Sequence, residues 1–328
     1  MSPRIVLTPA CFPGGGGGHV VRCLALARAL EKAGAKCRFV VEPLGVDLLR
    51  RLGWTGDVVA AGDEASRLAA IHALAPDATV VDDYRLDGEF ERVLSGTVMA
   101  IDDFTHRRHA CDLLLDSAYG RRVGDHGALP SSKRTLLGPR YALLREGFAL
   151  RREPELVVAR VFICFGLSDV GGIAARAVRL LRPLAPEAAF DVAMASDAPS
   201  AAPLMALARG DSGLTIHLDA DVAPLMQAAD LGVGAGGGMV WERRAASLPQ
   251  LVVTVAENQR PMAERLAADG IIAAVDLDDP AFDRRLQQAF ETLLDLGERR
   301  AQIDRPGAEC DGRGAQRAAR ALLDLVGG

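Results

Sequence analysis

Residues 5–30 read IVLTPACFPGGGGGHVVRCLALARAL, and the order of residue types in this stretch decides the fold class. Residues 5–7 form a short apolar strand, and residues 14–18 are all glycine. His19 and Arg22 then open a segment whose apolar residues Val20, Cys23, Leu24, Ala27 and Leu30 recur at helical spacing, with Gly34 as the stop. A glycine loop between strand and helix lets backbone amides approach an anion. It also leaves the positive end of the helix dipole facing whatever binds. His19 is the one side chain at that mouth able to exchange a proton near neutral pH. The stretch therefore points to a phosphate-bearing ligand handled together with a proton transfer. Two other readings fit the same residues. A dinucleotide fingerprint needs an acidic residue about 20 positions on, and Glu42 stands near that place. The run could also be a merely flexible loop.

Working outward, strand and helix patterns alternate along both halves. Strand-like segments fall at residues 37–41, 79–82, 98–101 and 113–115, with amphipathic helices at 20–33 and 64–74. Around Arg151, Arg152, Glu153 and Pro154 the composition turns charged, which places a domain boundary between 1–151 and 152–328. The pattern then restarts. Strands at 160–165, 189–193, 215–218, 231–234 and 250–255 alternate with helices at 172–181, 222–228 and 239–246. Both halves open with a strand leading into a glycine-bearing turn. The expected architecture is α/β: two Rossmann-like, doubly wound domains with parallel sheets facing across a cleft, ligand lying at the carboxyl ends of the strands. The apolar stripe Ala318, Ala321, Leu322 and Leu325 predicts a final helix over 314–326 that packs back across the domain junction.

The bulk numbers narrow the class. A chain of 328 residues has room for two cores, and 49% hydrophobic with 25% charged residues is ordinary for a globular protein. The net charge of −5 argues against general nucleic-acid or anionic-membrane binding. No stretch reaches the ~20 apolar residues of a membrane span, and the start lacks the pattern of a secretory leader. The six cysteines include no Cys-x-x-Cys pair, and Cys23, Cys37 and Cys164 fall inside strand or helix patterns. A reduced cytoplasmic compartment is expected, with neither a zinc site nor a disulfide framework.

A second glycine run, residues 234–238, precedes Met239, Trp241 and Glu242. Gly236, Gly237 and Gly238 open a helix there, so their amides suit a phosphate, and Glu242, one turn in, can accept from both ribose hydroxyls. The plain alternative for Glu242 is a surface carboxylate favoured by the helix dipole. Asn258 and Gln259 follow a strand and precede Pro261; they read either as turn and cap residues or as amides aimed at sugar or phosphate oxygens. Asp82, Asp83, Asp102 and Asp103 end strands, where Asp is a common terminator, so most read as structural. Tyr84 can position water or a sugar hydroxyl. Among the six histidines, His72 and His217 sit in regular elements, and His106 and His109 flank two arginines in a loop that reads as solvated. Serine-nucleophile and Walker patterns are missing.

Several of these pieces, in order, resemble one family. They include Gly16-Gly-Gly-His19 with Arg22, Val81-Asp-Asp-Tyr84, Ile101-Asp-Asp103, His109-Ala-Cys-Asp-Leu-Leu-Leu115 and Gly138-Pro-Arg-Tyr-Ala-Leu-Leu-Arg145. Cys164-Phe-Gly-Leu-Ser-Asp169, Trp241-Glu242, Leu248-Pro249 and Asn258-Gln259 continue the series. Together they resemble the UDP-2,4-diacetamido-2,4,6-trideoxy-β-L-altropyranose hydrolases of pseudaminic acid biosynthesis. That family is related to the glycosyltransferase-B group, which includes the lipid-II-forming N-acetylglucosaminyltransferase. The resemblance implies water attack at the anomeric carbon of the UDP-linked diacetamido-trideoxy sugar, releasing UDP, with no metal and no redox cofactor. It implies that His19 is the general base, that Tyr84, Arg22, Asn258 and Gln259 line the sugar, and that Glu242 binds ribose. The nucleotide would lie against Gly16, Gly17, Gly18, Gly166, Ser168, Gly236, Gly237, Gly238 and Met239. This sequence departs from the family at Leu167, which replaces a glycine, and at Gly238, Met239 and Val240, which stand where hydroxyl residues commonly approach phosphate. Two alternatives accompany the hydrolase reading: a glycosyltransferase of the same architecture, and a nucleotide-sugar-binding paralogue without turnover.

Overall fold

A computed structural model of the chain describes residues 2–12, 17–126, 134–148, 153–166 and 169–327. The chain forms two compact units, Met1–Glu146 with Gly312–Gly328, and Gly147–Asp311. The first contains β1 (Arg4–Pro9), α1 (Gly18–Lys32), β2 (Lys36–Val41), α2 (Pro43–Arg51), β3 (Val58–Ala60) and α3 (Glu64–Leu74). It continues with β4 (Ala78–Asp82), α4 (Gly88–Arg92), β5 (Thr97–Ile101), β6 (Leu113–Asp116) and β7 (Arg134–Leu137). The second runs β8 (Arg160–Cys164), α5 (Ile173–Leu181), β9 (Ala189–Met194), α6 (Ala201–Ala208), β10 (Leu214–Leu218) and α7 (Val222–Ala228). Then come β11 (Leu231–Ala235), α8 (Gly238–Ala245), β12 (Gln250–Thr254), α9 (Arg260–Ala268), β13 (Ala273–Asp276), α10 (Phe282–Leu293) and α11 (Leu296–Asp304). The chain finishes in α12 (Gly314–Val326), which belongs to the first unit.

Every strand pairing is parallel, in a seven-stranded sheet ordered β3-β2-β1-β4-β5-β6-β7 and a six-stranded sheet ordered β10-β9-β8-β11-β12-β13. Each is the doubly wound order, with the direction of progression reversing between β1 and β4 and again between β8 and β11. Parallel strands covered on both faces need apolar residues on both sides, and β4, β6, β11 and β12 are buried along their whole length.

Alternation along the strands assigns the helices to faces. Leu7, Phe39, Met99 and Leu115 point to one side of the first sheet, where they pack with Leu24 and Leu30 of α1 and Ala318 and Leu322 of α12. Val6, Val40, Val81 and Leu114 point to the other, against Ile71 of α3 and Phe90 of α4. In the second unit, Ile163, Val192, Val233 and Val253 share a core with Ile173 and Leu181 of α5 and Phe290 of α10. Among the described residues no helix is long and apolar enough to cross a membrane.

Three strands are absent from the sequence pattern: β3, β7 and β13. All three are sheet edges of three or four residues with partly exposed side chains. An edge strand has one neighbour and one wet flank, so it carries a short, weak apolar run.

The seat of α12 is tight. A Cβ on Gly314 would lie 2.1 Å from the Ala142 carbonyl oxygen and 2.5 Å from the Tyr141 carbonyl carbon. Backbone cannot yield as a flexible side chain does. Gly314→Ala is expected to lower the unfolding free energy of the first unit by about 2 kcal/mol, despite the better helix propensity of alanine. Urea denaturation followed by circular dichroism measures it. An unchanged or raised midpoint would show that α12 shifts to accommodate the methyl.

Candidate functional site

Parallel pairing of β1 with β4 brings together residues far apart in the chain. Pro9 and Asp82 are register partners, so the turn leading into α1 and the turn after β4 emerge side by side. His19 is the second residue of α1, and its Nδ1 lies 2.7 Å from Asp82 Oδ1. A carboxylate accepts only, so Nδ1 carries a proton, and in the neutral ring Nε2 keeps its lone pair. Arg22, one turn later, places Nε 2.7 Å from Asp82 Oδ2 and Nη2 2.6 Å from Asp82 Oδ1, a bidentate fork. Its Nη1 donates to Asp103 Oδ2 at 2.6 Å, and the Tyr84 hydroxyl donates to the same oxygen at 2.6 Å. The Tyr84 ring stands edge-on to His19 with centroids 4.7 Å apart, and Phe104 packs edge-on against Tyr84 at 4.7 Å.

Asp82 is completely buried, and burial opposes its charge. Arg22 and His19 outweigh that opposition and hold its carboxyl well below the usual range. The same balance keeps Asp103 ionised through Arg22 and the Tyr84 hydroxyl. Burial raises the Tyr84 phenol, and Asp103 adds to the rise, so Tyr84 stays a neutral donor. The site thus presents an oriented imidazole, fixed in one tautomer by a permanently charged neighbour, beside a phenol. Arg22 and Tyr84 are both tied to Asp103 in this arrangement.

Glu42 has a different task from the one a dinucleotide site requires. Its Oε2 accepts from the Cys11 amide at 2.9 Å, and Oε1 pairs with Arg67 at 2.5 Å and with Arg85. That carboxylate secures the chain after β1 and is not available to a ribose, which removes the dinucleotide reading. Gly17 is the N-cap of α1 and Gly18 its exposed first residue; Gly16 lies outside the described residues.

In the second unit the pairing of β8 with β11 sets Gly166 and the turn at 236–238 at the ends of adjacent strands. Gly166 and Gly237 have φ of +90° and +104°, which favour glycine. α8 starts at Gly238, so the amides of Gly238 and Met239 have no acceptor within the helix. Glu242 is 5% exposed, which excludes the surface-carboxylate reading. Gln259 packs on Gly236 and accepts from the Val255 amide at 3.3 Å, while Asn258 is exposed in the short helical turn before α9. Ser168 lies outside the described residues.

No protein-family model matches the sequence, and no curated protein matches it. Among solved structures, the chain is similar to MurG of Acinetobacter baumannii, at 17% identity and TM-score 0.63 over 99% of both chains. It is similar to CalG4, the calicheamicin glycosyltransferase, at 15% identity and TM-score 0.68 over 99% of this chain and 98% of that one. The spinosyn rhamnosyltransferase SpnG, solved with thymidine diphosphate, aligns at 16% identity and TM-score 0.66 over 99% and 100% of the two chains. These likenesses establish the fold: two Rossmann-like domains of the glycosyltransferase-B type.

A second charged cluster sits beside the first. His109, far from solvated, has a side chain only 2% exposed and spans two carboxylates, Nδ1 at 2.7 Å from Glu91 Oε1 and Nε2 at 2.8 Å from Asp102 Oδ2. The sequence reading missed this because the partners lie 18 residues upstream on α4 and at the end of β5. Glu91, His109 and Cys111 also bring possible metal-ligand atoms within 4.8 Å of one another. With a carboxylate on each ring nitrogen, however, the arrangement matches a doubly protonated imidazolium better than a metal ligand. Burial opposes that charge, but the hydrogen bonds to Asp102 and Glu91 prevail and raise the pKa to about 9. Stability drawn from a raised histidine is complete below its ordinary value of 6.5 and is lost as pH climbs through about 9. The unfolding free energy is therefore expected to fall by roughly 3 kcal/mol over that window, and His109→Gln to lack the fall. Parallel pH profiles for the two proteins in urea denaturation would show the ring to be neutral.

Proposed function

We propose that this chain is a nucleotide-sugar glycosyltransferase in which His19 is the general base and the second unit holds the nucleoside diphosphate. The observation that carries the reading is the 2.7 Å contact of His19 Nδ1 with a fully buried Asp82. An imidazole held this way has a free Nε2 to take a proton, and the imidazolium that results is stabilised where it forms. The attacking hydroxyl gives its proton to Nε2 as its oxygen bonds to the anomeric carbon. The bond from that carbon to the phosphate oxygen breaks with its electron pair, and the sugar inverts. Amides at Gly237, Gly238 and Met239, with the N-terminal dipole of α8, stabilise the departing diphosphate. Glu242 is assigned to ribose, and Asn258 and Gln259 to the donor's oxygens. The structural neighbours CalG4, a glycosyltransferase, and SpnG, a rhamnosyltransferase solved with thymidine diphosphate, support this reading.

Hydrolysis is the second reading, favoured by the ordered motif series from Gly16 to Gln259. Its substrate would be the UDP-linked 2,4-diacetamido-2,4,6-trideoxy-altrose. The row of edge-on contacts from His19 through Tyr84 to Phe104 suits a sugar that has lost hydroxyls, because it offers an apolar wall beside the base.

His19→Ala is expected to cut turnover ~100-fold or more while UDP affinity stays within about twofold. A variant that turns over like the natural protein would remove His19 from the role. Donor turnover in oxygen-18 water separates the two reactions. Label in the free sugar identifies hydrolysis, and sugar released only to an added acceptor identifies transfer.

A further inference from the structure

Arg243 lies on α8 and is entirely removed from solvent. Its Nε donates to Gln250 Oε1 at 2.8 Å and its Nη2 to the Ala235 carbonyl at 2.8 Å. Among the described residues, Nη1 has no hydrogen-bond partner and Arg243 makes no ion pair. The strand beneath it is built to admit it. β11 reads Leu-Gly-Val-Gly-Ala, and both glycines face the guanidinium. A Cβ on Gly232 would come 2.8 Å from Arg243 Cδ; one on Gly234 would come 2.8 Å from Nη1 and 2.0 Å from the Cys164 carbonyl oxygen, so the neighbouring strand also requires that glycine.

Arg299 is buried as completely and its Nε also lacks a partner among the described residues, yet its Nη1 and Nη2 donate to four carbonyls, those of Leu293, Leu294, Glu155 and Leu156. It ties chain segments together, and a structural role accounts for it. Arg243 is only half satisfied by comparison. Burial lowers its pKa to about 10, with Cys164 and Glu242 pulling the other way. Keeping such a cation out of water is costly unless a counter-charge arrives. Helical side chains lean toward their own N-terminus, so Arg243 delivers its charge to the peptide immediately before the 236–238 turn. The Gly238 and Met239 amides that open α8 beside that turn have no acceptor within the helix.

We propose that Arg243 is a positioning residue for the diphosphate: it holds the Ala235 carbonyl, sets the glycine turn, and supplies from below the positive charge that the ligand's phosphates neutralise. This rests on the reading that the second unit holds a nucleoside diphosphate. Charge acting through low-dielectric protein is screened far less than charge acting through water, so contact with the ligand is unnecessary.

The test is calorimetric titration with UDP, inorganic pyrophosphate and uridine, beside thermal unfolding of the free protein. Arg243→Met is expected to raise the unfolding midpoint by a few degrees, because an uncompensated buried charge is gone. It should also weaken UDP and pyrophosphate about tenfold and leave uridine unchanged. Arg243→Lys, which keeps the charge, should retain most of the affinity. Arg243→Gln takes the same measurements if the methionine variant does not fold. A neutral variant that binds UDP and pyrophosphate as the natural protein does overturns the proposal and spares the nucleotide reading. Failure of the natural protein to bind any of the three overturns both.

Discussion

A carboxylate withdrawn from water at the end of a central strand must be neutralised, and much of the first unit is arranged around doing so for Asp82. The pairing of β1 with β4 fixes where the carboxylate sits, and the first turn of α1 supplies both counter-groups, His19 and Arg22. Breaking such a buried set by removing one member leaves an unpaired charge, at a cost of about 3–5 kcal/mol. The geometry of the base is therefore locked to the stability of the fold. The arginine fork also reaches Asp103, which couples the turn after β4 to the end of β5.

The same solution recurs along the sheet edge. Asp82, Asp102 and Asp116 end three adjacent strands, all fully buried, and each is met by one histidine and one arginine. The pairs are His19 with Arg22, His109 with Arg107, and His126 with Arg121. Only the first opens a helix behind a glycine run, which is where a ligand and a proton acceptor can meet. The other two brace it: Arg121 donates to the Asp103 carbonyl, and Asp102 takes the Phe104 amide at 2.9 Å. A row of acidic strand ends is thus cross-braced by histidine and arginine, with His19 alone set behind a glycine run.

Much of this was legible in the chain and some was not, for identifiable reasons. Buried parallel strands read as apolar runs, so the two doubly wound halves follow from periodicity, while the short edges β3, β7 and β13 do not. His19 is marked by its glycines. Its partner is not, because Asp82 lies 63 residues away and looks like any strand terminator until the register of two sheet neighbours is known. His109 reads as solvated between arginines, and only Glu91 and Asp102 make it a clamp. Arg243 left a faint signal in the alternate glycines of β11, which remove two side chains from one face of a central strand. Such a gap in a core usually means that something large from the next element fills it.

Each unit buries charge next to the helix that follows its glycine turn. In the first, the buried Asp82 carboxylate orients the His19 ring and Arg22. In the second, Arg243 lies beneath a turn whose Gly238 and Met239 amides have no acceptor within α8, an arrangement that suits an anion. Under the proposed mechanism, proton removal at His19 is the same act whether the hydroxyl belongs to water or to an acceptor. The dyad therefore does not choose between hydrolysis and transfer. That choice falls to whatever shapes the approach to Nε2, and in the first unit the neighbouring surface is aromatic: Tyr84, then Phe104, then His106 with ring centroids 5.5 Å apart. That row lies beside His19 without touching Asp82, so under the proposed mechanism substitutions at Phe104 bear on the choice of acceptor, while substitutions at Asp82 bear on proton removal.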